Sequence, residues 1–305
     1  MERERAKPTN RPIPRKDKAA ARVAEIIAAS GRDEIDLLEE LRKHGMPAKA
    51  ALEILKQRQK GEAGRRAIEI PGNSPSFEIG VVSDTHLCAK TCALDELHAM
   101  YDIFERRGVK HVLHDGDLAD GNGKVYQGQL NELKVWGLDD SLEYVAKNYP
   151  KRKGITTHFI GGNHDESWLK TDGANFGKLL AEKRPDMDYL GMYDAMLDIN
   201  GVKFQLHHGA GGGAYALTYK IQKYVENLTG EDKPDVFLLG HYHTAVYASI
   251  RHIHSFTAGC WQWPNDFSKR LLLPNVVGGW LIGVDKNKEG KVRGVRSEFK
   301  QFFKP

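Results

Sequence analysis

From residue 77 onward the chain alternates short, mostly apolar runs with amphipathic stretches of helical period. The run 77–83 reads as a strand buried on both faces. Leu94, Leu97, Tyr101 and Phe104 recur at helical spacing and predict an amphipathic helix. Strands are expected at 111–113 and 155–160, with a helix between them carrying Leu130, Leu133 and Trp136. Within 195–206, Asn200-Gly201 separates two apolar runs and predicts a tight hairpin, because both residues tolerate the positive φ of a type I′ turn. Leu217, Ile221, Tyr224, Val225 and Leu228 mark a further helix, and 236–239 a further strand. The extended runs 280–284 and 292–297 are expected to finish a second sheet. This alternation of strands and helices predicts an α/β domain over 73–305.

The first 72 residues differ in pattern. Residues 1–20 carry Arg3, Arg5, Lys7, Arg11, Arg15, Lys16 and Lys18 among prolines, and read as a flexible basic arm. In 21–72, Ile35, Leu38 and Leu41 recur at helical spacing before Gly45, and Pro47 suits the first turn of a helix carrying Ala51, Leu52 and Leu55. A short extended piece follows at 67–70. With a first short helix read at 20–29, three short helices and a wing fit a small winged helix-turn-helix domain. They also fit a plain helical cap or an oligomerisation element.

Composition narrows the class. No apolar run approaches the roughly 20 residues that span a bilayer, and the first thirty residues lack the apolar core of a signal peptide. Cys88, Cys92 and Cys260 are too few and too scattered for a disulfide framework or a zinc knuckle. A cytoplasmic protein with no membrane partner is therefore expected. The net charge of +4 permits an anionic partner without demanding one.

The 13 histidines are the unusual count. Several stand beside Asp, Asn or Gly just after a predicted strand: Asp84-Thr85-His86, Gly116-Asp117-Leu118-Ala119-Asp120, Gly162-Asn163-His164-Asp165, His207-His208-Gly209 and Gly240-His241-Tyr242-His243. In an open α/β sheet the ends of neighbouring strands meet along one rim, where ligands bind. Carboxylate, amide and imidazole donors gathered there suit Mn, Fe, Zn or Ni. Singly each cluster is an ordinary turn, but five in succession point to a shared metal centre.

In this order the motifs resemble the calcineurin-like metallophosphoesterase superfamily, and in particular its phage and prokaryotic DNA-repair exonuclease-like members. The family pattern runs Asp-x-His, Gly-Asp-x-x-Asp, Gly-Asn-His-Asp/Glu, His before a small residue, and Gly-His-x-His. All five elements are present from residue 77 onward. The resemblance implies a four-layer α/β/β/α sandwich with two divalent metal ions, manganese foremost, at one rim. Asp84, His86 and His243 would hold the first ion. Asn163, His241 and a histidine of the 207–208 pair would hold the second, and Asp117 would bridge them. Neighbouring strand residues point to opposite faces, so His207 and His208 cannot ligate alike. The family places its ligand before the glycine, which favours His208 and leaves His207 as the alternate. Gly162 would allow the turn that aims Asn163. His164 would stabilise charge or protonate the leaving oxygen, Asp165 would orient that imidazole, and Asp120 would be a supporting or alternate ligand.

The implied reaction is hydrolysis of a phosphodiester by a hydroxide bridging the two metals. Asp120 is followed by Gly121-Asn122-Gly123, without the arginine that grips phosphate in the family's phosphoprotein phosphatases. The basic arm and possible helix-turn-helix favour nucleic acid, DNA above all, as substrate. Trp261, Trp263 and Phe267 fit stacking on a base, and equally core packing or a lid beside the site. The alternative is a small-molecule phosphomonoesterase or cyclic-nucleotide phosphodiesterase with a cap that does not bind nucleic acid. Oligomeric state is left open.

Overall fold

The computed structural model describes residues 66–68, 74–228 and 233–304. The arm 1–20 and the helices read before residue 66 lie outside the described residues. In chain order the elements are β1 (Arg66–Ile68), β2 (Ser76–Val82), α1 (Leu94–Arg107), β3 (His111–His114), α2 (Leu138–Asn148), β4 (Thr156–Ile160), α3 (Glu166–Asp172) and α4 (Phe176–Lys183). Then come β5 (Met187–Gly191), β6 (Asp194–Ile199), β7 (Val202–His207), α5 (Tyr219–Asn227), β8 (Val236–Leu239), β9 (Ala245–Ile250), β10 (Ile253–Ala258), α6 (Asp266–Leu271), β11 (Gly278–Lys286) and β12 (Val292–Gln301).

Two six-stranded sheets stack face to face, ordered β12-β11-β2-β3-β4-β5 and β1-β6-β7-β8-β10-β9. Neighbouring side chains on a strand point to opposite faces, and each sheet uses this to bury both sides. In β2, Ile79 and Val81 face the second sheet, where they meet Phe204, Leu206, Leu238 and Phe256. Val82 faces the other way, with Leu97, Met100 and Phe104 of α1. On the second sheet Phe237 and Leu239 of β8 pack against Ile221 and Val225 of α5. The layers therefore run α/β/β/α, as the motif resemblance implies.

The Asn200-Gly201 hairpin forms as expected, with φ of 53° and 82° joining antiparallel β6 and β7. Three expectations need correction. Leu130 and Trp136 do not line a helix: they are exposed, a single 3-10 turn covers Gln129–Glu132, and the amphipathic helix is α2, six residues beyond that turn. Positive-φ glycines at 128 and 137 bracket the segment and break it up. The runs 280–284 and 292–297 do not finish the second sheet. β11 pairs antiparallel with β2 and β12 with β11, so both extend the first sheet. The extended piece near 67–70 is an edge strand, since β1 runs parallel to β6, and not a free wing.

Gly80 sits at the centre of β2 under α1. A Cβ there would lie 2.6 Å from Phe104 Cζ. Gly80→Ala is therefore expected to destabilise the fold by about 1–3 kcal/mol through overpacking, read as a lower urea midpoint at unchanged slope.

Candidate metal centre

Every motif singled out in the sequence lies at the carboxyl end of a strand. β2 delivers Asp84 and His86, β3 delivers Asp117 and Asp120, and β4 delivers Asn163 and His164. β7 delivers His208, and β8 delivers His241 and His243. The chain turns sharply at these points. Asp84, His86, Asp117, His241 and His243 have φ of 51°, 44°, 51°, 81° and 54°, a left-handed conformation that costs a non-glycine residue of order 1–3 kcal/mol. Backbone strain gathers where the donor side chains gather.

The donor atoms converge in overlapping groups. Ligand atoms of Asp84, His86 and His243 lie within 4.8 Å of one another, as do those of Asp117, His208 and His241, and those of His86, Asp117 and His164. His86 Nε2 and His243 Nε2 face each other at 3.1 Å. His208 Nε2 is 3.2 Å from Asp117 Oδ2 and 3.1 Å from Asn163 Oδ1. Asp117 Oδ1 also accepts the His164 backbone N–H at 2.9 Å. Two imidazole nitrogens on one cation, with bonds of about 2.0–2.1 Å, sit at a similar separation to the His86–His243 pair. The oxygen and nitrogen donors present therefore fit divalent cations.

Electrostatics supports the same fit. Burial opposes the charged form of His208, but Asp117 outweighs it and lifts the imidazole to about 9. Burial likewise opposes the His164 imidazolium, which Asp117 and Asp120 raise to about 10. Burial raises Asp84, yet its hydrogen bond and charge interaction with His243 bring it down to about 2. In the metal-free protein, protons on imidazole thus balance the buried carboxylates. A cation would take over that role.

Supporting contacts hold the ring nitrogens that face away. His208 Nδ1 donates to the Asp115 carbonyl at 2.8 Å, and His241 Nε2 to the Gly211 carbonyl at 2.8 Å. His86 Nδ1 and Asp120 Oδ1 lie 2.8 Å apart, and His164 Nδ1 lies 3.2 Å from the same oxygen. His207 is not in this group: its Nδ1 meets Asp194 Oδ2 at 3.0 Å, and its ring packs on Tyr224 and Phe237. It lies on the opposite face of β7, as strand alternation requires.

Two sequence readings change. Asp165 does not orient His164. Its carboxylate accepts the backbone N–H of Gly162, Leu118 and Ala119 at 3.1, 3.0 and 3.0 Å, because α3 starts beside it and turns it inward. Burial, then Asp117, pushes it up to about 7. Gly162 is needed for space: a Cβ would lie 2.2 Å from Asp117 Oδ1 and 2.8 Å from His208 Nε2.

Several residues here carry no motif signal. Gln129 Nε2 donates to the Asp120 carbonyl and lies 3.2 Å from His164 Nδ1. Asn275 Nδ2 lies 3.3 Å from His243 Nδ1. Asp115 is fully buried, both carboxylate oxygens lack a hydrogen-bond partner, and burial with Asp84 nearby holds it well above the usual carboxylate range. Only its place beside Gly116-Asp117 could have drawn attention to it. Trp261 is wholly buried in the helix-side core, so it is closed to any base.

The family model for the calcineurin-like phosphoesterase superfamily domain matches residues 77–273. The chain belongs to that superfamily. The DNA polymerase II small subunit of Halobacterium salinarum is 23% identical over 251 residues, covering 69% of this chain and 49% of that protein. That of Pyrococcus furiosus is 26% identical over 223 residues, covering 60% and 35%. The chain thus spans about half, or less, of the length of these relatives. Among solved structures, an archaeal phosphodiesterase aligns with TM-score 0.40 and 15% identity over 73% of this chain and all of that one. Vacuolar Protein Sorting 29 from Cryptosporidium parvum aligns with TM-score 0.39 and 14% identity over 75% and 99%.

Two outcomes are expected. A cation binding at His208 displaces a proton held to about pH 9, so apparent affinity falls roughly tenfold for each pH unit below 9. Calorimetric titration with Mn²⁺ in buffers of differing protonation enthalpy reads the released proton. Gly162→Ala displaces Asp117 and His208 and lowers Mn²⁺ affinity by about tenfold or more, measured by the same titration.

Proposed function

We propose that this protein is a phosphodiesterase that uses two divalent cations, manganese foremost, to hydrolyse nucleic acid. The observation that carries the reading is the convergence of Asp84, His86 and His243 beside Asp117, His208 and His241, with Asp117 common to neighbouring groups. Asp84, His86 and His243 would hold one ion, Asn163, His208 and His241 the other, and Asp117 lies where it would serve both. Once bound, such a pair makes a water nucleophilic near neutral pH and offsets charge on the phosphoryl oxygens.

The chain's own groups do the rest. Asp120 and its carbonyl hold His164 by Nδ1, the carbonyl at 2.9 Å, which leaves Nε2 for substrate. His164 lines the same cavity as Asn163, His208 and His241. Burial lowers its pKa, but in the metal-free protein Asp117 and Asp120 raise it to about 10. His164 neutralises a phosphoryl oxygen and supplies a proton to the leaving oxygen. Asp165 ties the 118–119 turn to Gly162 and so fixes Asp117 relative to Asn163.

Nucleic acid as substrate draws support from two sides. The curated relatives are named as small subunits of a DNA polymerase. The cavity measures about 1170 Å³, above the roughly 300–1,000 Å³ typical of small-molecule pockets.

The test incubates the full chain with Mn²⁺ and labelled single- and double-stranded DNA, RNA, cyclic nucleotides and aryl phosphate esters. Cleavage of oligonucleotides is expected, and Asp117→Asn is expected to reduce it by about a thousandfold or more with less bound metal. Brisk hydrolysis of a cyclic nucleotide or monoester with intact oligonucleotides would reject the nuclease reading and favour a small-molecule esterase.

A further inference from the structure

Tyr126 and Phe267 stack with ring centroids 4.6 Å apart and planes at 30°. Both line the cavity that holds the metal-centre residues. Neither belongs to the hydrophobic clusters found among the described residues, so packing of the core does not account for them. Their placement is nevertheless fixed. Tyr126 Oη donates to Glu132 Oε2 at 2.5 Å. Asn265, the N-cap of α6, donates to the same carboxylate at 2.7 Å, and the Phe267 N–H meets its other oxygen at 3.3 Å. One carboxylate thus clamps the 121–129 loop to the start of α6. The Tyr126 ring centroid lies 6.2 Å from that of His164. Of the other residues lining the cavity, Tyr215 is fully exposed and Leu272 is 90% exposed.

A rigid aromatic pair beside a phosphate-handling imidazole suits a ligand that joins a phosphate to a flat, apolar face about one sugar away. We propose that Tyr126 and Phe267 form a ledge for an unpaired nucleobase, so that the protein engages single-stranded ends or loops in preference to duplex. In a duplex both faces of each base are already stacked, and the ledge is reached only by a base that has left the stack. Because Glu132 and Asn265 hold the rings in place, stacking on them costs little ordering. The ledge makes no distinction between deoxyribose and ribose. The inference rests on the phosphodiesterase reading for where the phosphate lies, but its test is a binding measurement independent of cleavage.

Anisotropy of labelled oligonucleotides is measured on the full chain with Ca²⁺, and cleavage is followed separately with Mn²⁺. Four probes are compared: single-stranded DNA, single-stranded RNA, blunt duplex, and a single strand whose terminal nucleotides are abasic. Both single strands are expected to bind more tightly than duplex and than the abasic strand. Phe267→Ala is expected to weaken single-strand binding about 5- to 100-fold and leave the abasic strand unchanged. Phe267→Leu keeps an apolar side chain but removes the π face, and should give most of that loss with an unaltered melting temperature. Equal affinity for duplex and single strand, or equal loss on the abasic probe, overturns the ledge. Tight binding of a DNA strand with none of RNA would move recognition to the sugar and overturn it too. Ledge-dependent binding without any cleavage would uphold the ledge and reject the nuclease reading. Cleavage indifferent to Phe267 would do the reverse.

Discussion

The architecture depends on placing mutually repelling acids, and mutually repelling imidazoles, inside one buried rim. Asp84, Asp115, Asp117, Asp120 and Asp165 are each 2% exposed or less. Isolated carboxylates at such depth would be expelled or protonated. Asp120 is paired with His86 and His164, and the others are met in three ways. Asp84 and Asp117 are held ionised by His243 and His208, Asp165 is satisfied by three backbone N–H groups, and Asp115 is held neutral. Asp117 is the point of greatest tension, since it touches His208 and the His164 backbone at once. Asp84, His86, Asp117, His241 and His243 themselves adopt positive φ, although none is glycine. Such strain persists only where the surroundings over-determine it.

Those surroundings are the two sheets. The core between them anchors β2, β3, β4, β7 and β8 by their apolar faces, and their carboxyl ends then have no freedom to move apart. The metal-binding capacity is a property of strand ends in a packed sandwich, which explains why the donors come from five distant stretches of chain. It also explains the close glycines. Gly116, Gly162 and Gly240 sit where a Cβ would strike His208, Asp117 or Ser83, so the tightness of the cluster is written into the absence of side chains.

Much of this was legible in the sequence because it rests on local rules. Strand alternation requires the two adjacent histidines to differ, and the motif resemblance favours His208; His208 faces the rim while His207 pairs with Asp194. Asn200-Gly201 makes its hairpin because two positive φ values suit no better pair. What was not legible is decided by contacts remote in sequence. β11 joins β2 across nearly two hundred residues, and no pattern within it chooses between two sheets. The spacing of Leu130, Leu133 and Trp136 imitates a helix, but Glu132 and Gln129 are drawn instead into contacts with Asn265 and His164. Asp165 has the right neighbour for an orienting role, and its own backbone partners win.

The two kinds of structure around the cavity carry different information. Donors at strand ends are positioned by the fold itself. The 121–129 turn, the glycine-rich 209–217 stretch and the 262–274 segment that line the remainder are loops or short helices whose sequence the common core does not constrain. On the proposed reading, substrate choice is made there, with Tyr126 and Phe267 on the wall beside His164. Membership of the superfamily therefore speaks to the class of chemistry and is silent about the substrate. A reading of the substrate has to come from the shape and chemistry of those loops in this chain, where the clamp between Glu132 and Asn265 gives the wall beside His164 a fixed aromatic surface.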